Sequence, residues 1–286
     1  MSSSTERTKL AEGKTKVIWD AGDGEVAIES KDDITAGDGA SRDLLEGKAV
    51  TATKTTRNVF LLLEKQGIRT HFVGDEEEES ANPRVFRAER VDMIPLELVV
   101  RRIATGSYLK RNPDVTEGTI FPELIMEFFE KDDANHDPLL VVDLASRRLL
   151  RYKADKPLAE GFINEEPFEG SCLDQHGSDE VLELISTAER VFLVLEDAWA
   201  EQDVALVDLK IECGWSPGTG EIIVADVIDN DSWRIWPEGE KEQMKDKQVY
   251  RELADVEDPA AKAKELGKIK QNYAWVADAT AKFIAV

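Results

Sequence analysis

The stretch from Val204 to Trp236, VALVDLKIECGWSPGTGEIIVADVIDNDSWRIW, constrains the fold more than any other. Val207, Leu209, Ile211 and Cys213 alternate with Asp208, Lys210 and Glu212, so a strand puts two carboxylates and one ammonium on a single face. GWSPGTG turns the chain back into EIIVADVID, which ends among Asp226, Asp229 and Asp231, with Arg234 following. Glu212 and Asp226 on adjacent strands suit a magnesium ion carrying nucleotide phosphates, which needs one or two carboxylate oxygens, while Lys210 neutralises phosphate charge. Alternation alone favours an ordinary half-exposed hairpin with its charges in water, so the surroundings must decide.

Those surroundings read as a mixture of strands and helices. Short β-rich runs fill the first hundred residues: Lys16–Asp20, Glu25–Ser30, Arg69–Val73, Arg84–Val91 and Leu96–Arg102, with a hairpin turn at residues 21–24. One helix is predicted from Leu44 to Lys65, closed by Gly67, and the acid run Asp75 to Glu79 is predicted to be a solvated loop. Beyond Pro95 helical periods appear, which divides the chain into 1–95 and 96–286. Ser178 can cap a helix carrying Val181, Leu184, Ile185, Ala188, Phe192 and Leu195 on one face. Asp258-Pro259 opens a last helix with a Leu266, Ile269, Tyr273 and Val276 stripe. Residues from Pro138 to Gly177 are Gly/Pro/acid-rich and read as irregular.

With 36 Lys+Arg against 59 Asp+Glu, the net charge of −23 excludes a protein that coats nucleic-acid phosphates, a mode that needs a basic field. Any anionic ligand must therefore meet a local basic site. Leu98 to Pro113 provides one: Arg101, Arg102, Lys110 and Arg111 occur there without an acid, and Ser107 after Gly106 offers hydroxyl and backbone donors. Glu12-Gly13-Lys14-Thr15-Lys16 is not a Walker loop, because Thr8 stands where glycine is required and a strand follows rather than precedes. Its Lys14 and Lys16 nevertheless project from the same side of an extended chain. Cys172 and Cys213 stand alone, with neither a disulfide framework nor zinc-site spacing. The start lacks a signal peptide's apolar stretch, and nowhere do about 18 apolar residues run together. The expectation is a soluble, cytoplasmic protein.

Seven segments in order, EGKTK (12–16), SKDDITAGDGA (30–40), DMIPLELVVRRIATGSYLKRNP (92–113), FFEKDDANHDP (128–138), LVDLKIECG (206–214), ADVIDNDSWRIWP (225–237) and KDKQVYR (245–251), closely resemble the SAICAR synthetase family of purine biosynthesis. The resemblance spans nearly the whole chain. ADVIDNDSWR is closer to the synthetase half of the animal bifunctional enzymes than to the short bacterial form. Residues 139–177 match the short form poorly and read as an insertion.

The resemblance implies a two-lobed α+β fold, an N-terminal antiparallel β lobe over a larger mixed α/β lobe, with the ATP cleft between. It also implies an ATP-dependent ligase that joins the carboxylate of 5-amino-1-(5-phosphoribosyl)imidazole-4-carboxylate to L-aspartate through an acyl phosphate. Carried over by position, Lys14 and Lys16 sit near ATP phosphates, Met93 beside adenine, and Lys210 on the nucleotide. Glu212 and Asp226 hold magnesium. Arg101, Ser107 and Arg234 bind the imidazole nucleotide, helped by Asp231 and Lys247, and loops around Asp38 and from Asp133 to Asp137 close the aspartate pocket. Lys210, Asp226 and Arg234 are the expected catalytic groups. Val227 stands where many members carry Glu, which removes one candidate metal ligand. The partners implied are small molecules, not nucleic acid or membrane, and a homo-oligomer is left open. A rival reading is a catalytically inactive nucleotide-binding regulator; another is a phosphotransferase that ligates no amine.

Overall fold

The computed structural model describes residues 7–36, 41–75, 82–143, 145–167, 177–253 and 258–285. In chain order its elements begin with β1 (Lys9–Glu12), β2 (Lys16–Gly22), β3 (Glu25–Ser30), β4 (Asp33–Ala36), β5 (Ser41–Leu44), α1 (Lys48–Lys65), β6 (Phe72–Asp75) and β7 (Val85–Glu89). Next come β8 (Asp92–Ile103), α2 (Ser107–Arg111), β9 (Ile120–Glu130), β10 (Leu139–Asp143), β11 (Arg148–Tyr152), α3 (Leu158–Gly161) and β12 (Phe162–Pro167). The chain continues through α4 (Gly177–Ala200), β13 (Val204–Trp215), β14 (Ile222–Ala225), β15 (Trp233–Pro237), α5 (Gln248–Arg251) and α6 (Pro259–Ala281).

A first antiparallel sheet has the order β1-β2-β3-β7-β6, and a larger one has the order β12-β11-β10-β9-β8-β13-β14, with β15 also paired to β13. The long central strand β13 meets β8 on one side. On its other side it meets β15 near its start and β14 near its end. This is the expected α+β class with antiparallel sheets. β8 runs unbroken through Pro95 and pairs only within the large sheet, so the strands of the first sheet end at Glu89.

Helix α1 starts at Lys48 rather than Leu44. Gly47 stands at φ +89°, outside helical space, and the preceding residues instead pair as the β4–β5 hairpin. Asp32 then serves the helix start by accepting from the backbone N–H of Gly47 (3.2 Å) and Ala49 (2.9 Å). Gly67 closes α1 at φ +70°, as expected. The apolar stripe of α4 is buried at Val181, Leu184, Ala188, Phe192 and Leu195, and the helix lies on β8, β13 and β14. Each large side chain of that stripe contributes about 1.5–3 kcal/mol by leaving water. Asp258 caps α6 by accepting from Ala260 N and Ala261 N. Ile269 and Tyr273 of α6 join one buried cluster with Ile34, Leu45 and Tyr250, while Val276 joins the main core.

Two further expectations are corrected. Residues 139–167 are not irregular: β10, β11 and β12 form an antiparallel meander that extends the large sheet. These strands, LLVVD, RLLRY and FINEEP, are short and group their apolar residues instead of alternating them, so they carry no period-two signal in the sequence. The predicted strand 69–73 divides, with Arg69 to His71 bonding to Val224, while the His71 carbonyl and the residues from Phe72 onward meet β7. Residues 76–79 of the acid run and the loop around Asp38 lie outside the described residues.

Candidate active site

Three cavities share walls in series, the first two where the first sheet faces the large one and the third over the large sheet alone. An apolar cavity of about 360 Å³ is walled by Leu10, Ile18, Val26, Ile28, Val91 and the half-exposed Met93. At Lys16, Lys131, Glu212 and Asp226 it opens into a polar cavity of about 640 Å³. That cavity also contains Lys14, Lys210, Asp229, Asp231 and Lys247. Through Glu97, Lys210, Asp231, Ser232 and Arg251 it continues into a third cavity of about 260 Å³, lined by Arg101, Ser107, Asp208 and Arg234.

Strand register brings the charges of the polar cavity together. Glu212 of β13 pairs with Ala225 of β14, so Asp226 follows at the next position. Asp226 leaves the strand at φ +60° and its carboxylate pairs with Lys16 at the start of β2. The Glu212 side chain is only 4% exposed and accepts from Lys131 (2.7 Å) and Lys210 (2.9 Å); Lys210 also donates to Glu97 (2.9 Å). The charged face of β13 is therefore enclosed, not open to water as alternation alone suggested. Burial raises the Glu212 carboxyl, but Lys210, Lys131 and Lys16 outweigh it and hold it near about 2. Burial pulls the Lys210 ammonium down, and Glu212 with Glu97 reverses this and raises it. Lys16 is pushed down to about 8 by burial, with Lys210 and Lys131 adding repulsion against the pull of Glu212.

Asp231 accepts from Lys247 (2.8 Å) and from the Tyr273 hydroxyl, and Lys48 Nζ lies 3.8 Å away. Burial alone would raise its carboxyl, but Lys48 and Lys247 overcome this and lower it. Asp229, two residues earlier, moves the other way because burial and the Asp231 charge both disfavour its ionised form. These are paired carboxylates whose environments drive their protonation apart.

In the third cavity Asp208 lies between two guanidiniums, accepting from Arg101 Nη1 (2.7 Å) and from Arg234. Arg101 also donates to Glu127 (2.6 Å) and to Ser107 Oγ (3.3 Å), and is 3% exposed. Arg111 binds the other oxygen of Glu127 (2.5 Å) and the Ala154 carbonyl, which ties the β11–α3 connection to this wall. Burial opposes the Arg234 charge, but Asp208 and Asp246 outweigh it and raise its pKa.

The profile of the SAICAR synthetase family matches residues 9–266. The chain belongs to the SAICAR synthetase family. Its fold and its ligase class are those that the sequence motifs implied. A phosphoribosylaminoimidazole-succinocarboxamide synthase of Roseiflexus sp. (strain RS-1) is 46% identical over 274 residues, covering 95% of this chain and 96% of that protein. A bifunctional phosphoribosylaminoimidazole carboxylase/phosphoribosylaminoimidazole succinocarboxamide synthetase of Mus musculus is 43% identical over 272 residues, 94% of this chain and 57% of that one. A solved SAICAR synthetase (type-2) in complex with ADP superposes with a TM-score of 0.70 at 30% identity, covering 92% of this chain and 96% of that chain.

Of the residues expected at a SAICAR synthetase site, Lys14, Lys16, Lys210, Glu212, Asp226, Asp231 and Lys247 line the polar cavity. Met93 lines the apolar one, and Arg101, Ser107 and Arg234 line the third. Asp38 lies outside the described residues, as does the Asp133 side chain. Sequence reasoning missed Lys48, Lys131, Asp208 and Tyr273. Asp208 was visible as the third charge on the Lys210 face. Lys48 and Tyr273 sit on helices, where nothing in the local pattern separates a site residue from a surface or core one.

Proposed function

We propose that this chain joins the carboxylate of 5-amino-1-(5-phosphoribosyl)imidazole-4-carboxylate to the amine of L-aspartate, releasing ADP and phosphate. The observation that carries this reading is the order of the three cavities: apolar, then lysine- and carboxylate-lined, then arginine-lined. That sequence suits a base, its phosphates and an anionic acceptor laid end to end. Adenine would lie against Ile18, Val91 and Met93, and the phosphates among Lys14, Lys16, Lys131 and Lys210. The imidazole nucleotide would meet Arg234 and Ser107, with Arg101 holding Asp208 and Ser107 behind them, and Asp231 and Lys247 at its flank. The N-terminal lobe, whose last sheet strand ends at Glu89, would cover the nucleotide, and the lobe that begins with β8 would carry the acceptor.

A carboxylate oxygen of the imidazole nucleotide attacks the γ-phosphorus, the bond to the β-phosphate oxygen breaks, and ADP leaves. The aspartate amine, as the free base, then attacks the acyl carbon, the C–O bond to phosphate breaks, and phosphate leaves with the proton that the nitrogen gives up as the amide forms. Lys16, Lys131 and Lys210 act in the first step by positioning the phosphates and offsetting charge on the phosphoryl group. Arg234 orients the acceptor. No group of three or more His, Cys, Asp and Glu among the described residues could hold a metal unaided. Glu212 and Asp226 alone fit magnesium, which takes one or two carboxylates and completes its shell with phosphate and water. Bound there, it would shield phosphate charge.

No helix among the described residues is long and apolar enough to cross a membrane; a cytoplasmic location agrees with this. The test is ADP release with ATP, magnesium, the imidazole nucleotide and L-aspartate, each omitted in turn, with product followed by its ultraviolet absorbance. Release that needs all four, with equal product, supports the ligase. Release without aspartate would point to a phosphotransferase, and ATP binding without turnover to a regulator.

A further inference from the structure

His71 is 3% exposed, with its ring edge-on to Phe60 (centroids 5.5 Å apart) and Phe86 (6.0 Å). The backbone of residues 69–71 continues alongside β14: Val224 N donates to the Arg69 carbonyl (3.1 Å), and His71 N donates to the Val224 carbonyl (2.9 Å). One step further the ladder ends: the His71 carbonyl accepts from Glu89 N of β7 (2.7 Å), and Asp226 turns into the left-handed region at φ +60°. A left-handed conformation is costly for a residue with a Cβ and persists only where its surroundings hold it. His71 Nε2 lies 2.8 Å from the Asp226 carbonyl oxygen. A carbonyl can only accept, so Nε2 carries the proton and the side chain supplies the donor that the backbone ladder no longer offers.

We infer that His71 is a positioning residue for Asp226: its Nε2–H clamps the Asp226 carbonyl and so holds the turn that aims the Asp226 carboxylate at Lys16 and the polar cavity. The clamp joins the two sides of the cleft, since His71 precedes β6 of the first sheet and Asp226 follows β14 of the large one. This inference rests on the reading of Asp226 as a phosphate-site carboxylate.

Three substitutions separate the donor from the packing. His71→Phe keeps a ring against Phe60 and Phe86 but has no donor. His71→Gln keeps an amide N–H at about the reach of Nε2, whereas His71→Asn is also an amide but too short. Removing an outer hydrogen bond that orients such a ligand costs about 10–100-fold. His71→Phe and His71→Asn should therefore lose about 10-fold or more in kcat, with KM for the imidazole nucleotide unchanged, and His71→Gln should recover most of that loss. Amide hydrogen exchange of the 225–228 segment in the substrate-free protein reads the turn without activity; it should quicken in the Phe and Asn variants and not in Gln. If His71→Phe does not fold, the Gln and Asn pair decides the matter. Equal behaviour of Gln and Asn, or wild-type kcat with unchanged exchange in the Phe or the Asn variant, would overturn the inference. Asp226→Asn is measured alongside. Full activity in that variant would instead strike down the role given to Asp226, a different failure.

Discussion

Gly106→Ala tests the arginine-lined cavity at a position that contacts no substrate atom in the proposed arrangement. Gly106 precedes α2 at φ +59°, ψ −134°, a region in which a Cβ is strained by about 1–3 kcal/mol. A Cβ built there would lie 2.7 Å from Arg234 Nη2 and 3.0 Å from its Cζ. Ordinary contact begins at 3.4 Å, so the guanidinium must retreat by 3.4 − 2.7, about 0.7 Å. Retreat is restricted, because Asp208 holds Nη1 and the Arg234 side chain is only 17% exposed. A hydrogen bond to a charged group is worth about 1.5–3 kcal/mol, and each 1.4 kcal/mol is about tenfold in affinity. KM for the imidazole nucleotide should therefore rise about 10–100-fold while KM for ATP holds. Urea denaturation should show the strain as a loss of about 1–3 kcal/mol, with an unchanged slope. Steady-state ADP release read against each substrate supplies the kinetic arm. Wild-type stability together with a wild-type KM would refute the reasoning, and an equal rise in both KM values would remove Arg234 from the acceptor site.

Asp226→Asn keeps the side chain's shape but removes the charge facing Lys16; ADP formation should fall at least about 100-fold with the thermal transition retained, and wild-type turnover would sink the metal assignment. Arg234→Ala should raise KM for the imidazole nucleotide far more than for ATP, which the same assay reads directly. Lys16, held down to about 8, loses its proton as pH rises through that value, so kcat/KM for ATP should fall there. A nucleotide phosphate beside Lys16 would raise its pKa, so ADP binding at about pH 9 without magnesium should take up protons. Calorimetry in two buffers of different ionisation enthalpy measures that uptake, and its absence would remove Lys16 from the phosphate site.

Much of this molecule was legible locally. The β13 alternation, the α4 stripe, the Asp258 cap of α6 and the Gly67 stop of α1 each depend on residues a few positions apart, and each holds in the structure. The motif order carried the family in the same way, because those segments are continuous in sequence. Alternation also determined that Lys210 and Glu212 share a face, since side-chain direction along a strand has period two.

Which strands stand beside that face was decided only by the tertiary structure. Lys16 meets Asp226, Lys131 meets Glu212, and Arg101 meets Asp208 across separations far beyond any local pattern. Burial and neighbouring charges then moved the same residue type in opposite directions, with the Asp229 pKa driven up and the Asp231 pKa driven down two positions apart. The His71 bond to Asp226 belongs to the same class. A side chain's direction follows from its own backbone, whereas its partners, and through them its charge, follow from where the rest of the chain is packed.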